Sequence, residues 1–114
     1  TGGLTQYSHK LPLTPELRLT EGAKHFADTM GAYWLMDIIA TEFLELLDEE
    51  NPIIFISITV DSANGALIVA TDGDKGGGPV TLHTRHIEYT DLPRMETPYR
   101  FFLQDGVLML PGEY

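Results

Sequence analysis

The sequence predicts an α+β domain in which an N-terminal helical segment, Thr20 to Glu50, packs on one face of an antiparallel sheet of about five strands. Three observations carry that prediction. Apolar residues recur at the helical period of about 3.6 from Phe26 to Leu47. After Asn51-Pro52 the period drops to about two, in a stretch rich in β-branched residues. No helical period returns later, so helices precede strands instead of alternating with them.

Residues 1–19 are rich in Thr, Gly, Leu and Pro, and Pro12 and Pro15 obstruct a regular helix. This predicts an extended N-terminal arm whose leucines pack onto a single domain spanning 20–114. Thr20 is a candidate N-cap with Glu21 in the first turn, and Phe26, Ala27 and Met30 continue at helical spacing to Gly31. Gly31 either kinks one long helix or separates two. From Ala32 an apolar stripe of Leu35, Ile38, Ile39, Phe43, Leu46 and Leu47 runs until Asn51-Pro52 stops it.

The first strand is Ile54 to Val60, where Ile54, Ile56, Ile58 and Val60 alternate with Phe55, Ser57 and Thr59. Asp61 to Gly65 is a turn, Ala66 to Thr71 a second strand, and Asp72 to Pro79 a glycine-rich loop. Val80 to Thr90 is a third strand with a break in parity. Val80 and Leu82 share one face, Ile87 and Tyr89 the other, which predicts a bulge between His83 and His86. The last pair, Arg100 to Gln104 and Val107 to Leu110, is joined by Asp105-Gly106, a strong hairpin signal. The expected order is a three-stranded meander with this hairpin added at one edge.

At 114 residues and 43% apolar content the chain suffices for one packed core. It has no cysteine, which excludes disulfides, thiol nucleophiles and cysteine-ligated metals, and fits a reducing compartment. The longest apolar runs, Ala32 to Met36 and Pro52 to Ile56, are too short for a membrane helix, and no basic start precedes an apolar segment. The expectation is a soluble, cytoplasmic protein.

Its net charge of −10 is regional. No Lys or Arg lies between Lys24 and Lys75, whereas Asp28, Asp37, Glu42, Glu45, Asp48, Glu49, Glu50, Asp61, Asp72 and Asp74 all do. A basic protein surface is the expected partner. Direct nucleic-acid binding is not expected, because the seven Lys and Arg residues are scattered.

On a continuous helix Asp37, Thr41, Glu45 and Asp48, together with Glu42 and Glu49, form an acidic ridge opposite the apolar stripe. Like charges at that spacing cost a few tenths of a kcal/mol per pair, and acids at a helix C-terminus cost roughly 0.3–1 kcal/mol each. The other reading is a plain solvated helix face, although such a face would normally intersperse cations. Asp37, Glu42, Glu45, Asp48 and Glu49 are therefore the candidate partner-binding residues of a non-enzymatic acidic module, in its narrowest form a nucleic-acid mimic that inhibits a basic protein. The alternatives are a small enzyme with a helix–sheet cleft using Asp37, His83 or His86, and an oligomerisation domain forming a homodimer through a sheet edge or the arm.

The remaining motifs carry little chemistry. Trp34 is expected in the core and Tyr33 at its boundary, within reach of Asp37. His83 and His86 point to opposite faces of a strand unless the bulge intervenes, and no third or fourth metal ligand accompanies them. Asp72-Gly-Asp74 resembles the start of a calcium loop, but Gly76 and His83 stand where its fifth and last ligands belong. No catalytic motif, cofactor site or metal site is expected.

Three segments resemble a known family: Gly31-Ala-Tyr-Trp-Leu-Met-Asp-Ile-Ile-Ala40, Ile87-Glu-Tyr-Thr-Asp-Leu-Pro93, and the ending Val107-Leu-Met-Leu-Pro-Gly-Glu-Tyr114. Together they are similar to a small bacterial and phage family catalogued only as a domain of unknown function, over roughly residues 4–114. Gly112 stands where that family usually has Ser. The resemblance implies one helix–sheet core in a bacterial or phage accessory protein and supplies no catalytic residues.

Overall fold

A computed structural model of the chain describes residues 6–9, 17–74, 79–95 and 97–113. It contains strands β1 (Gln6–His9) and β2 (Leu17–Thr20), helices α1 (Glu21–Met30) and α2 (Tyr33–Ile38), then β3 (Ile53–Val60), β4 (Ala66–Asp74), β5 (Pro79–Ile87), β6 (Tyr99–Gln104) and β7 (Val107–Met109). The fold is α+β, but the sheet has seven strands, ordered β1-β2-β7-β6-β3-β4-β5, and it is mixed. β2 runs parallel to β7, with Arg18 opposite Val107 and Leu19 opposite Leu108. This corrects the expected five antiparallel strands. The extra pair comes from residues assigned to an extended arm, where Leu17 and Leu19 are 0% and 1% exposed. Other parts of the expected arm and of the glycine-rich loop lie outside the described residues.

The predicted meander is β3-β4-β5, and the β6-β7 hairpin joins it through β6 against β3. At the hairpin tip Asp105 and Gly106 both take positive φ, as a two-residue Asp-Gly connection requires. The bulge exists but falls earlier than expected. Ala70 faces His83 while Thr71 faces Thr81, so Leu82 is the extra residue and the register shifts before His83.

Thr20 caps α1: its buried hydroxyl accepts a hydrogen bond from the Ala23 N–H at 3.3 Å. At the other end Gly31 is left-handed (φ 60°), and the Ala32 N–H reaches back to the Ala27 carbonyl at 2.9 Å. Gly31 thus separates two helices. Thr20→Val keeps the side-chain volume and removes the cap; it is expected to cost about 1 kcal/mol, read as a lower urea midpoint at unchanged m-value.

The second helix is shorter than its apolar stripe suggests. After Ile38 the backbone widens into a π turn (Ile39–Phe43) and tightens into a 3-10 turn (Leu44–Leu46). Thr41 hydroxyl donates to the Asp37 and Ile38 carbonyls at 2.8 and 3.2 Å, a competition that loosens the helical ladder. The widened turn keeps Ile39, Ala40, Phe43 and Leu44 all buried. Asp48 then accepts N–H bonds from Glu50 and Asn51, a local turn that replaces further helix just before Pro52.

Buried side chains of both helices and of the π turn, among them Ala27, Leu35, Met36, Ile39 and Phe43, share one cluster with Leu19, Ile54, Ile56, Ile58, Ile68, Phe101 and Leu103 of the sheet. Phe26 meets Phe101 and Tyr99 edge-on, at centroid distances of 5.1 and 5.6 Å. Trp34 is partly buried against this cluster. Alternate residues of β3 and β6 therefore face the helices, and Phe55, Ser57, Arg100 and Phe102 face away. No helix among the described residues is long and apolar enough to cross a membrane.

Candidate functional site

The five carboxylates of the expected ridge sit on four kinds of backbone. Asp37 is in α2, Glu42 in the π turn, Glu45 in the 3-10 turn, and Asp48 and Glu49 in the bend that follows. The backbone under the expected ridge is therefore not one continuous α-helix. Asp48 is engaged by the Glu50 and Asn51 N–H groups at 2.9 and 2.7 Å. Glu45 and Glu49 are exposed and make no ion pair with any described residue.

Glu42 has a different role. Its Oε1 lies 2.9 Å from His83 Nε2, and its Oε2 accepts a hydrogen bond from the Arg85 guanidinium. His83 and Arg85 pair with Ala70 and Ile68, both buried, so they project from β5 toward the helices. The Phe43 ring meets the imidazole edge-on at 5.2 Å. Strand β5 thus supplies the counter-ions that the acidic stretch lacks locally. With Glu42 24%, His83 36% and Arg85 47% exposed, this cluster contributes about 1 kcal/mol or less to stability. His86 pairs with exposed Leu67 on the opposite face, so His83 and His86 do not converge.

Other acids of the stretch are held locally. Asp28 bonds the Lys24 ammonium at 2.7 Å and accepts the Tyr33 hydroxyl. The Lys24 bond, followed by that of Tyr33, holds the Asp28 carboxyl below the usual carboxylate range, and the same carboxylate raises Lys24 and Tyr33. Tyr33 was expected near Asp37; the left-handed turn at Gly31 folds it back over α1 instead. Asp61 Oδ1 accepts from the Ala63 and Gly65 N–H groups, and Asp72 from the Val80 N–H at 2.9 Å. No group of three or more metal-ligating side chains exists among the described residues.

On the sheet face turned away from the helices lies a groove of about 460 Å³, lined by Phe55, Ser57, Thr71, Pro98, Arg100 and Phe102 among others. Phe55 and Phe102 are cross-strand partners with ring centroids 4.8 Å apart at 78°. Ser57 stands opposite Arg100. Sequence reasoning passed over this surface. Its one legible signal is the placement of two aromatic residues at the outward positions of period-two strands.

Fold and surface together define an α+β domain with a mixed seven-stranded sheet and, on the sheet face turned from the helices, a groove with an aromatic pair. The family model described as "Family of unknown function (DUF6876)" matches residues 1–114, and the chain belongs to that family. No curated protein and no solved structure matches the chain.

Proposed function

We propose that this domain is a binding module that docks a basic protein surface against its acidic helical side. The observation supporting this reading is the charge imbalance: ten acids and no Lys or Arg lie between Lys24 and Lys75. Among the described residues, the ion pairs offered to those acids come from Lys24, His83 and Arg85. Exposed Glu45, Asp48, Glu49 and Glu50 face solvent in one short stretch where C-terminal helix carbonyls add to the negative potential. Such a surface accelerates encounter with a cationic partner and makes affinity salt-dependent. Imitation of a phosphate backbone would need a regular row of charges. The split of Asp37, Glu42, Glu45, Asp48 and Glu49 over several backbone conformations favours the broader reading.

The test leaves Glu42 and Asp48 untouched, because both hold local structure. Native chain and the Glu45→Lys/Glu49→Lys double variant are used to capture basic proteins from bacterial lysate at about 0.05 M and about 0.5 M salt. Expected is a basic protein retained by the native chain, released by salt, and bound about tenfold or more weakly by the variant. Equal capture by both chains, or capture indifferent to salt, sinks the reading.

A further inference from the structure

We infer that the groove on the sheet face turned from the helices is a binding site for a small apolar monocarboxylate, with Arg100 taking the carboxylate and the Phe55 and Phe102 rings the apolar body. The inference goes beyond docking on the helical side and concerns the opposite surface. Three observations converge on it.

The first is a local reversal of charge. The chain has 17 acids against seven Lys and Arg, yet β3, β5, β6 and β7 contain no Asp or Glu at all. β4 has two, at its hairpin end, of which Asp72 is bonded to the Val80 N–H. The second is Arg100 itself. Lys24 and Arg85 are held by carboxylates and Arg18 by the Asp105 carbonyl. Arg100 is exposed, and its guanidinium makes no hydrogen bond or ion pair with a described residue. A guanidinium presents a fork that matches a carboxylate bidentately, and the Ser57 and Thr71 hydroxyls of the same groove can donate further bonds.

The third is shape. About 460 Å³ falls within the range of roughly 300–1,000 Å³ typical of small-ligand sites. Its apolar wall is fixed in advance: Phe55 is held edge-on to Phe102 and lies over Gly73, where a Cβ would come within 2.4 Å of the ring. One guanidinium in a chain of net charge −10 suits a single negative charge. A polyanion such as a nucleic acid would be repelled by the rest of the surface.

Phenylacetate is the probe, with phenylacetamide and phenethylamine as its neutral and cationic counterparts, titrated into the full 15N-labelled chain and followed by amide chemical shifts. Expected are saturable phenylacetate shifts confined to residues 55–57, 71–73 and 98–102, with the amide and the amine about tenfold or more weaker. In Arg100→Gln, whose exposed site leaves the melting temperature unchanged, the carboxylate should bind no better than the amide. Arg100→Lys, which keeps charge without the fork, should recover only part of the difference. The inference is overturned by absent or scattered shifts, by equal binding of acid and amide to the native chain, or by Arg100→Gln binding like the native chain. Absent shifts would also be the result if another segment of this chain covers the groove.

Discussion

Phe101→Ala is expected to lower the unfolding free energy by about 3–5 kcal/mol, the range for emptying a large aromatic from a packed core. Phe101 is 1% exposed, pairs with Ile56 on the neighbouring strand, and receives the Phe26 ring of α1 at 5.1 Å. The substitution therefore removes packing on the sheet and between sheet and helix together. For a domain of this size total stability is about 5–15 kcal/mol, so the loss is a large fraction of it. Chemical denaturation followed by near-ultraviolet and far-ultraviolet circular dichroism measures the effect. A loss below about 1 kcal/mol would mean that the Phe26–Phe101 contact does not join α1 to the sheet.

Gly73→Ala is expected to cost about 2–4 kcal/mol, from two separable causes. The backbone at Gly73 has φ 75°, which disfavours any side chain, and the new Cβ would lie 2.4 Å from Phe55 Cε2 and 2.9 Å from its Cδ2. Gly31→Ala isolates the first cause, since Gly31 has φ 60° with nothing within 4 Å of its Cβ position. That control should cost about 1 kcal/mol. The excess at Gly73 reports the displaced Phe55 ring, and the aromatic resonances of Phe55 and Phe102 should move in Gly73→Ala alone. Equal losses at the two glycines would show that the ring yields freely and that the groove wall is not fixed.

What was legible in the sequence was local. Thr20, Gly31, Asp105-Gly106 and the alternation from Ile54 to Val60 each act through residues one to four positions away, and each produced the expected cap, break, hairpin or strand. Features set by distant partners were not legible. Leu17-Arg-Leu19 offers only one period of alternation, and its pairing with β7 is parallel. The π turn hides inside an apolar stripe that a plain α-helix would also satisfy, because widening by one residue keeps the same side chains buried. The ridge was drawn on one continuous α-helix, which the π turn and the turn at Asp48 interrupt. Glu42 acquired its partners from positions 41 and 43 residues later, a pairing that charge counting along the sequence cannot find.

The parallel pairing of β2 with β7 sets an order of assembly. The Arg18 N–H bonds the Gly106 carbonyl at 2.9 Å, and its guanidinium bonds the Asp105 carbonyl at 2.7 Å across a separation of 87 positions. On a ribosome adding roughly 5–20 residues per second, β2 emerges roughly 4–17 s before the strand that receives it exists. The β3-β4-β5 meander closes short loops and can form in that interval, whereas the β2 edge that receives β7 stays unpaired. The nascent chain thus carries at β2 a strand edge whose partner is β7. A chain cut before Val107 is expected to leave that edge of β2 unpaired and prone to pair with other chains, read as association in sedimentation that the full chain does not show.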